Sequence, residues 1–298
     1  MVWESIFTRN QARYRTALYA RLADVPTLIT GESGTGKELV ARAIALSQYI
    51  PFDPATRGFA AEPAGGFAAV NLAALSPTLI ESELFGHRRG AFTGAVDDHE
   101  GWFARCGPHG AVFLDEIGDL DAGIQVKLLR VLQSREFHRI GETDPRRFVG
   151  KVIAATNRDL DPELAARRFR EDLYYRLCAD TIQVPTLREQ LAATSDDLRH
   201  LVLIIARRVA GPDEGARLAD EVQHSVDTHL GRNYPWPGNM RELEQCVRST
   251  LIRGAGRTIR QYRSAGSSDI PHAPMAAYAG TADIVAPTAS ATRQPARP

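Results

Sequence analysis

One stretch constrains the fold more than any other: VPTLITGESGTGKELVARAI, residues 25–44. VPTLIT (Val25 to Thr30) reads as a short buried strand. A glycine-rich turn follows at once, and KELVARAIALSQ then reads as a helix. The turn fits G-x-x-x-x-G-K, from Gly31 to Lys37. A glycine-rich turn between a strand and a helix lets backbone N–H groups face phosphate oxygens. A lysine at its end reaches the β- and γ-oxygens, and the helix N-terminus adds positive potential. The expected nucleotide contacts are therefore Gly31, Glu32, Ser33, Gly34, Thr35, Gly36, Lys37 and Glu38. Glu38 stands where a Ser or Thr hydroxyl usually meets Mg²⁺, which leaves that contact open at this position.

A phosphate loop implies a second strand ending in an acid, and AVFLDE supplies it. Asp115 is expected to hold Mg²⁺, directly or through water. Glu116 is expected to polarise an attacking water, because hydrolysis needs an oriented nucleophile near the γ-phosphate. VIAATN ends in Asn157, a polar group expected between the γ-phosphate and that water. FAAVNL is a further strand candidate. AGIQVKLLRVLQS is apolar at helical spacing, with Ile124, Leu128 and Leu132. Alternating strands and helices give an α/β class with a parallel sheet flanked by helices. After about Val184 no further strand candidate is found, and residues 195–252 read as helices: a small helical second domain. Tyr49 to Gly66, rich in Pro, Gly and Ala, reads as a loop, and the region from about Gly254 as disordered.

Lys and Arg number 36, as do Asp and Glu, which does not favour coating nucleic acid by bulk charge. Cys106, Cys178 and Cys246 show no metal-ligand spacing and read as free thiols in a reducing compartment. No apolar run approaches a membrane span. A cytoplasmic protein is the expectation.

Several longer motifs then occur together: LITGESGTGKELVARAI, LIESELFGHRRGAFTGA, VFLDEIGDL, QVKLLRVLQ, IAATNRDL, FREDLYYRL and YPWPGNMRELE. In this order they resemble the AAA+ ATPase domain of bacterial enhancer-binding proteins, the activators of sigma-54 RNA polymerase. The resemblance runs from about Thr27 to Arg253. It implies ATP and Mg²⁺ as cofactors and a P-loop AAA+ sheet followed by a helical lid. It also implies that GAFTGA (Gly90, Ala91, Phe92, Thr93, Gly94, Ala95) is a loop tip touching sigma-54, with the two glycines giving flexibility and Phe92 an exposed apolar contact. Arg170 and Arg176 would be arginine fingers acting on a neighbouring subunit, which implies a homo-oligomeric ring, expected to be a hexamer. Arg241 would be the sensor II arginine on the lid. Asn71 would restrain the catalytic glutamate until the partner engages. Residues 138–148 would be a second pore-side loop moving with the first. Glu38 is itself what the resembling proteins show.

The expected organisation is a helical lead-in (1–24), the ATPase core with its sigma-54 interaction (25–190), the lid (191–253) and a disordered tail (254–298). No regulatory domain is expected before the core. No helix-turn-helix pattern follows Arg253, so sequence-specific DNA binding by this chain is not expected. Two alternatives stand beside the leading reading: a non-catalytic or truncated sigma-54-binding decoy, and an AAA+ unfoldase with another client.

Overall fold

The computed structural model describes residues 21–48, 50–59, 66–193, 197–231 and 234–254. Of the expected helical lead-in (1–24), residues 1–20 lie outside them and Leu22–Asp24 form a single 3-10 turn; the expected tail lies outside them beyond Gly254. Along the chain, β1 (Thr27–Thr30) feeds α1 (Lys37–Leu46), followed by a hairpin of β2 (Phe52–Asp53) and β3 (Gly58–Phe59). Then come β4 (Phe67–Asn71), α2 (Pro77–Phe85), α3 (Trp102–Arg105), β5 (Ala111–Asp115) and α4 (Ala122–Ser134). A second hairpin, β6 (Glu136–Phe137) and β7 (Arg146–Arg147), precedes β8 (Lys151–Thr156). Next are α5 (Asp161–Ala165), α6 (Glu171–Leu177) and β9 (Asp180–Gln183). Among the described residues that follow, the chain forms only helices: α7 (Leu187–Ala193), α8 (Asp197–Ala210), α9 (Pro212–His229) and α10 (Asn239–Arg253).

Five strands form one parallel sheet in the order β4-β5-β8-β1-β9. Parallel strands need long crossovers, and the helices that supply them cover both faces. The core shows this in its period of two. On β8, Val152 and Ala154 join the large core that holds Leu114, Leu128 and Phe103. Ile153 and Ala155 join the opposite core, with Phe113, Ala41 and Ile44 of α1. Every residue of β8 is buried. From β1 the chain crosses to the far edge at β4, returns strand by strand to β8, and ends on the other side of β1 as β9. The strand order therefore reverses beside β1, and in open α/β sheets ligands bind at the carboxyl ends of strands at such a point.

The strands expected from VPTLIT, FAAVNL, GAVFLDEI and GKVIAATN are present. The fifth, β9, is not among those expectations. DTIQ buries only Ile182, and at this sheet edge Asp180 accepts a hydrogen bond from Thr27 Oγ1 at 3.0 Å. The 49–66 segment is not wholly loop. Asp53 accepts from the Ala55 N–H and from Thr56 Oγ1, at 2.9 Å each, which closes the β2–β3 turn. Phe52 and Phe59 meet edge to face across it at 5.3 Å and are exposed.

The helical part has its own core, built from Leu187, Val202, Leu218, Val222, Trp236 and Leu243 among others. Helix α9 starts at Pro212, well before the periodic stretch ADEVQHSVDTHLG that suggests it. Proline fits a first helical turn, and Asp213 and Glu214 complement the helix dipole there. Among the described residues no helix is long and apolar enough to cross a membrane.

Candidate functional site

The carboxyl ends of β1, β5 and β8 bring together the expected residues that follow these strands. Thr30 pairs with Thr156, Leu114 with Ala154 and Asn71 with Asp115. The residues that follow these pairs, Gly31, Glu116 and Asn157, therefore leave the sheet side by side.

The loop from Gly31 to Lys37 wraps tightly. Gly34 and Gly36 have φ of 77° and 95°, the left-handed region that suits glycine. The Thr35 hydroxyl donates to the Glu32 carbonyl at 2.8 Å. Lys37 opens α1, is buried, and donates to the carbonyls of Gly31 at 2.9 Å and Glu32 at 3.1 Å. Burial lowers its pKa from the ordinary lysine value, against the pull of Glu116 and Asp115. Glu38 is exposed.

Asp115 is half-buried, and burial raises its pKa, with Lys37 opposing. Glu116 follows in a left-handed conformation, φ 57°, uncommon for a non-glycine residue. Burial raises its pKa too, opposed by a hydrogen bond that its carboxylate accepts from the Asn157 N–H at 3.3 Å. The group so engaged is the Asn157 backbone, not its side chain. Asn71 Oδ1 accepts from the Ala74 N–H at 3.2 Å and so caps a short turn. Among the described residues no hydrogen bond joins it to Glu116.

The last helix, α10, closes the other side. Arg241 donates to Ser33 Oγ at 3.1 Å, and its charge is felt by both Lys37 and Asp115. Asn239 donates to the Ser33 carbonyl and the Glu32 carboxylate, at 3.1 and 3.2 Å. Asn239 falls within the YPWPGNMRELE motif, but no role for it is expected there beyond leading into the last helix.

Arg170 and Arg176 are exposed and bound elsewhere. Arg170 pairs through two nitrogens with Asp172, at 3.0 and 2.7 Å. Arg176 donates to the Leu132 carbonyl at 3.0 Å. Among the described residues neither bonds to the phosphate loop.

The Gly90–Ala95 segment is a closed loop. The Gly90 N–H donates to the Ala95 carbonyl at 2.8 Å, and the Ala95 N–H to the Phe92 carbonyl at 3.0 Å. Gly90 and Gly94 have φ of 79° and 101°, with nothing near where a side chain would start. Thr93 and Gly94 are exposed. Phe92 is not a bare tip: it is half-buried, with its ring on the edge of His87 at 4.9 Å. At its base the loop is stitched to the second one. The Arg88 N–H donates to the Ile140 carbonyl at 3.0 Å, and the Arg88 guanidinium bridges Asp98 and Glu142 at 3.1 and 2.8 Å.

This phosphate loop and acid pair fit ATP and Mg²⁺. The loop has the glycine geometry of an anion cradle, and Asp115 offers a hard oxygen. Among the described residues no cluster of three or more His, Cys, Asp or Glu could hold a metal alone. One carboxylate suits Mg²⁺, which keeps waters and takes phosphate oxygens as partners.

Comparison with known proteins gives the family and the fold. The model of the sigma-54 interaction domain matches residues 7–183. The chain is 41% identical over 251 residues to the Nif-specific regulatory protein of Azotobacter vinelandii, covering 84% of this chain and 44% of that one. It is 41% identical over 238 residues to the DNA-binding transcriptional regulator NtrC of Rhizobium meliloti, covering 80% and 45%. The chain thus spans under half the length of these relatives. Among solved structures, NtrX from Brucella abortus in complex with ATP superposes with a TM-score of 0.59 at 31% identity, covering 80% of this chain and 50% of that one. The α/β P-loop fold of the AAA+ ATPases and the match over more than half of the chain lead to one conclusion: the chain belongs to the family that carries the sigma-54 interaction domain.

Proposed function

We propose that this chain is an ATP-hydrolysing, sigma-54-dependent transcription regulator. In this reading it acts as a ring, most simply a hexamer, that remodels sigma-54 RNA polymerase at a promoter. The observation that carries it is the convergence of Lys37, Asp115, Glu116 and Arg241 around one phosphate loop at the sheet's reversal point. Residues 25–190 are the ATPase core and 191–253 its lid.

Lys37 and the loop N–H groups hold the β- and γ-phosphates. Asp115 would hold Mg²⁺, which would supply neutralisation of charge on the phosphate oxygens. Burial makes the Glu116 carboxylate a stronger base than one in water, and the Asn157 N–H orients it. It takes a proton from the attacking water. Arg241 covers the loop from the lid. Arg170 and Arg176 act in trans: their exposure and their lack of a bond to the cis loop support a role at a neighbour's site, where a guanidinium stabilises transition-state charge. Asn71 restrains Glu116 only after its cap on residues 72–74 is released. The Gly90–Ala95 loop contacts sigma-54 through Thr93 and the uncovered side of Phe92.

The test is ATP hydrolysis against protein concentration, with Glu116→Ala and Arg170→Ala alongside. A rate per subunit that climbs with concentration and disappears in both variants is expected. A flat background rate at every concentration would refute the ring ATPase and favour a non-catalytic sigma-54-binding protein.

A further inference from the structure

We propose that Asn239 is a positioning residue through which the lid sets the shape of the phosphate loop; this rests on the ATP reading above. Asn239 is 1% exposed, and both ends of its carboxamide are engaged. Oδ1 accepts from the Leu187 N–H at 2.8 Å. Nδ2 donates to Glu32 Oε2 at 3.2 Å and to the Ser33 carbonyl at 3.1 Å. The amide has one workable orientation, because an N–H faces one end and two oxygens face the other.

The three partners lie on different parts of the molecule. Leu187 opens the first lid helix and packs in the lid core. Asn239 opens the last lid helix, and Glu32 and Ser33 belong to the phosphate loop. One side chain therefore ties both ends of the lid to the loop. It is itself held firmly. Its φ is 52°, a conformation asparagine tolerates better than most residues, and its N–H donates to the Trp236 carbonyl at 2.8 Å. Glu242, 7% exposed, accepts from the Gly238 N–H at 2.8 Å and from the Tyr234 hydroxyl at 2.7 Å, which braces the turn from behind.

The consequence for the loop follows from peptide geometry. The peptide unit is planar and trans, so its C=O and N–H point in opposite directions. Holding the Ser33 carbonyl toward Asn239 turns the Gly34 N–H away from the lid residue. A phosphate-binding loop works through the direction of such N–H groups. Asn239 thus shapes the loop without touching the nucleotide, and it does so by polarity: the loop presents two acceptors and needs a double donor.

The experiment is a mutant cycle on the full chain: wild type, Asn239→Asp, Glu32→Gln and the double variant. The readouts are the Kd for mant-ADP, KM and kcat for ATP, and the thermal midpoint. Asp has the shape of Asn but sets a carboxylate against two acceptors. Asn239→Asp is expected to weaken mant-ADP about tenfold or more and to raise KM more than it lowers kcat. The double variant is expected to recover about half of that loss on a logarithmic scale, since the carboxamide introduced at position 32 can donate to the carboxylate introduced at position 239. Unchanged affinity in Asn239→Asp, or a double variant as weak as the single, overturns the proposal. A residue that served only the fold would give no such rescue. Should Asn239→Asp fail to fold, Asn239→Ala carries the test: about fivefold weaker mant-ADP is expected, and wild-type affinity overturns the proposal. A wild type that binds no mant-ADP overturns the ATP reading and this proposal with it.

Discussion

Gly34→Ala tests how tightly the lid sits on the phosphate loop. A methyl at Gly34 would start about 1 Å inside ordinary contact with the Gly238 carbonyl oxygen, and 3.2 Å from Arg241 Cβ. Both obstacles belong to the lid, and the first is backbone, which cannot swing aside. Separating the two surfaces by about 1 Å would stretch three hydrogen bonds of 3.1–3.2 Å, from Asn239 and Arg241 to Glu32 and Ser33, to about 4 Å, beyond useful range. At about 0.5–1.5 kcal/mol each, that is roughly 2–4 kcal/mol of lid docking. A further ~1–2 kcal/mol comes from placing a side chain at φ 77°.

Gly90→Ala is the control. Its φ is 79°, almost the same, but nothing lies within 4 Å of the new methyl. It carries the backbone strain without the collision. Calorimetry of both variants separates the two effects. At about 2–4 °C per kcal/mol, Gly34→Ala should lower the melting midpoint by at least ~4 °C more than Gly90→Ala. Equal shifts in the two variants would mean that the lid does not rest on Gly34, and the close packing of lid and loop would be wrong.

Two further outcomes are expected. Lys151 is buried on β8, donates to the Val25 carbonyl at 2.6 Å, and has its pKa pushed down to about 8 by burial. Between about pH 8 and its unfolded value of 10.5, the unfolded chain holds a proton that the native chain lacks, so stability rises with pH in that window. Urea titrations should show wild type gaining about 3 kcal/mol on Lys151→Met from pH 7 to 10.5; a difference that is flat in pH would contradict the depressed value. Separately, Thr93→Ala should reduce capture of purified sigma-54 about tenfold while leaving the melting midpoint within ~1 °C, because Thr93 is exposed. Undiminished capture would remove the loop from the sigma-54 interface.

The central strands were legible because burial on both faces writes a continuous apolar run, as in AVFL and VIAA. The edge strand DTIQ was not, since it buries only Ile182 and its pairing partner Thr27 lies 153 residues away in sequence. The glycine-rich turn after β1 and the acids at the end of β5 were legible because glycine spacing and strand-end acids are local patterns. Contacts made by backbone or by distant elements were not. The Asn157 N–H, rather than its side chain, meets Glu116, and a residue type cannot announce that. Asn239 meets Glu32 across 207 positions of sequence. Phe92 looked like a bare tip because nothing in GAFTGA shows that His87 will lie under its ring.

The parallel register also governs where this gene can change length. A residue inserted within Lys151–Thr156 would exchange the side chains facing the two cores and slide Asn157 past Glu116. The same insertion between Pro54 and Arg57, at the exposed tip of the β2–β3 hairpin, would move nothing that the site uses. Length drift among descendants of this sequence should therefore collect in that hairpin and spare the strands. The tip is equally the place to splice in a fluorophore tag while leaving the nucleotide cradle in register.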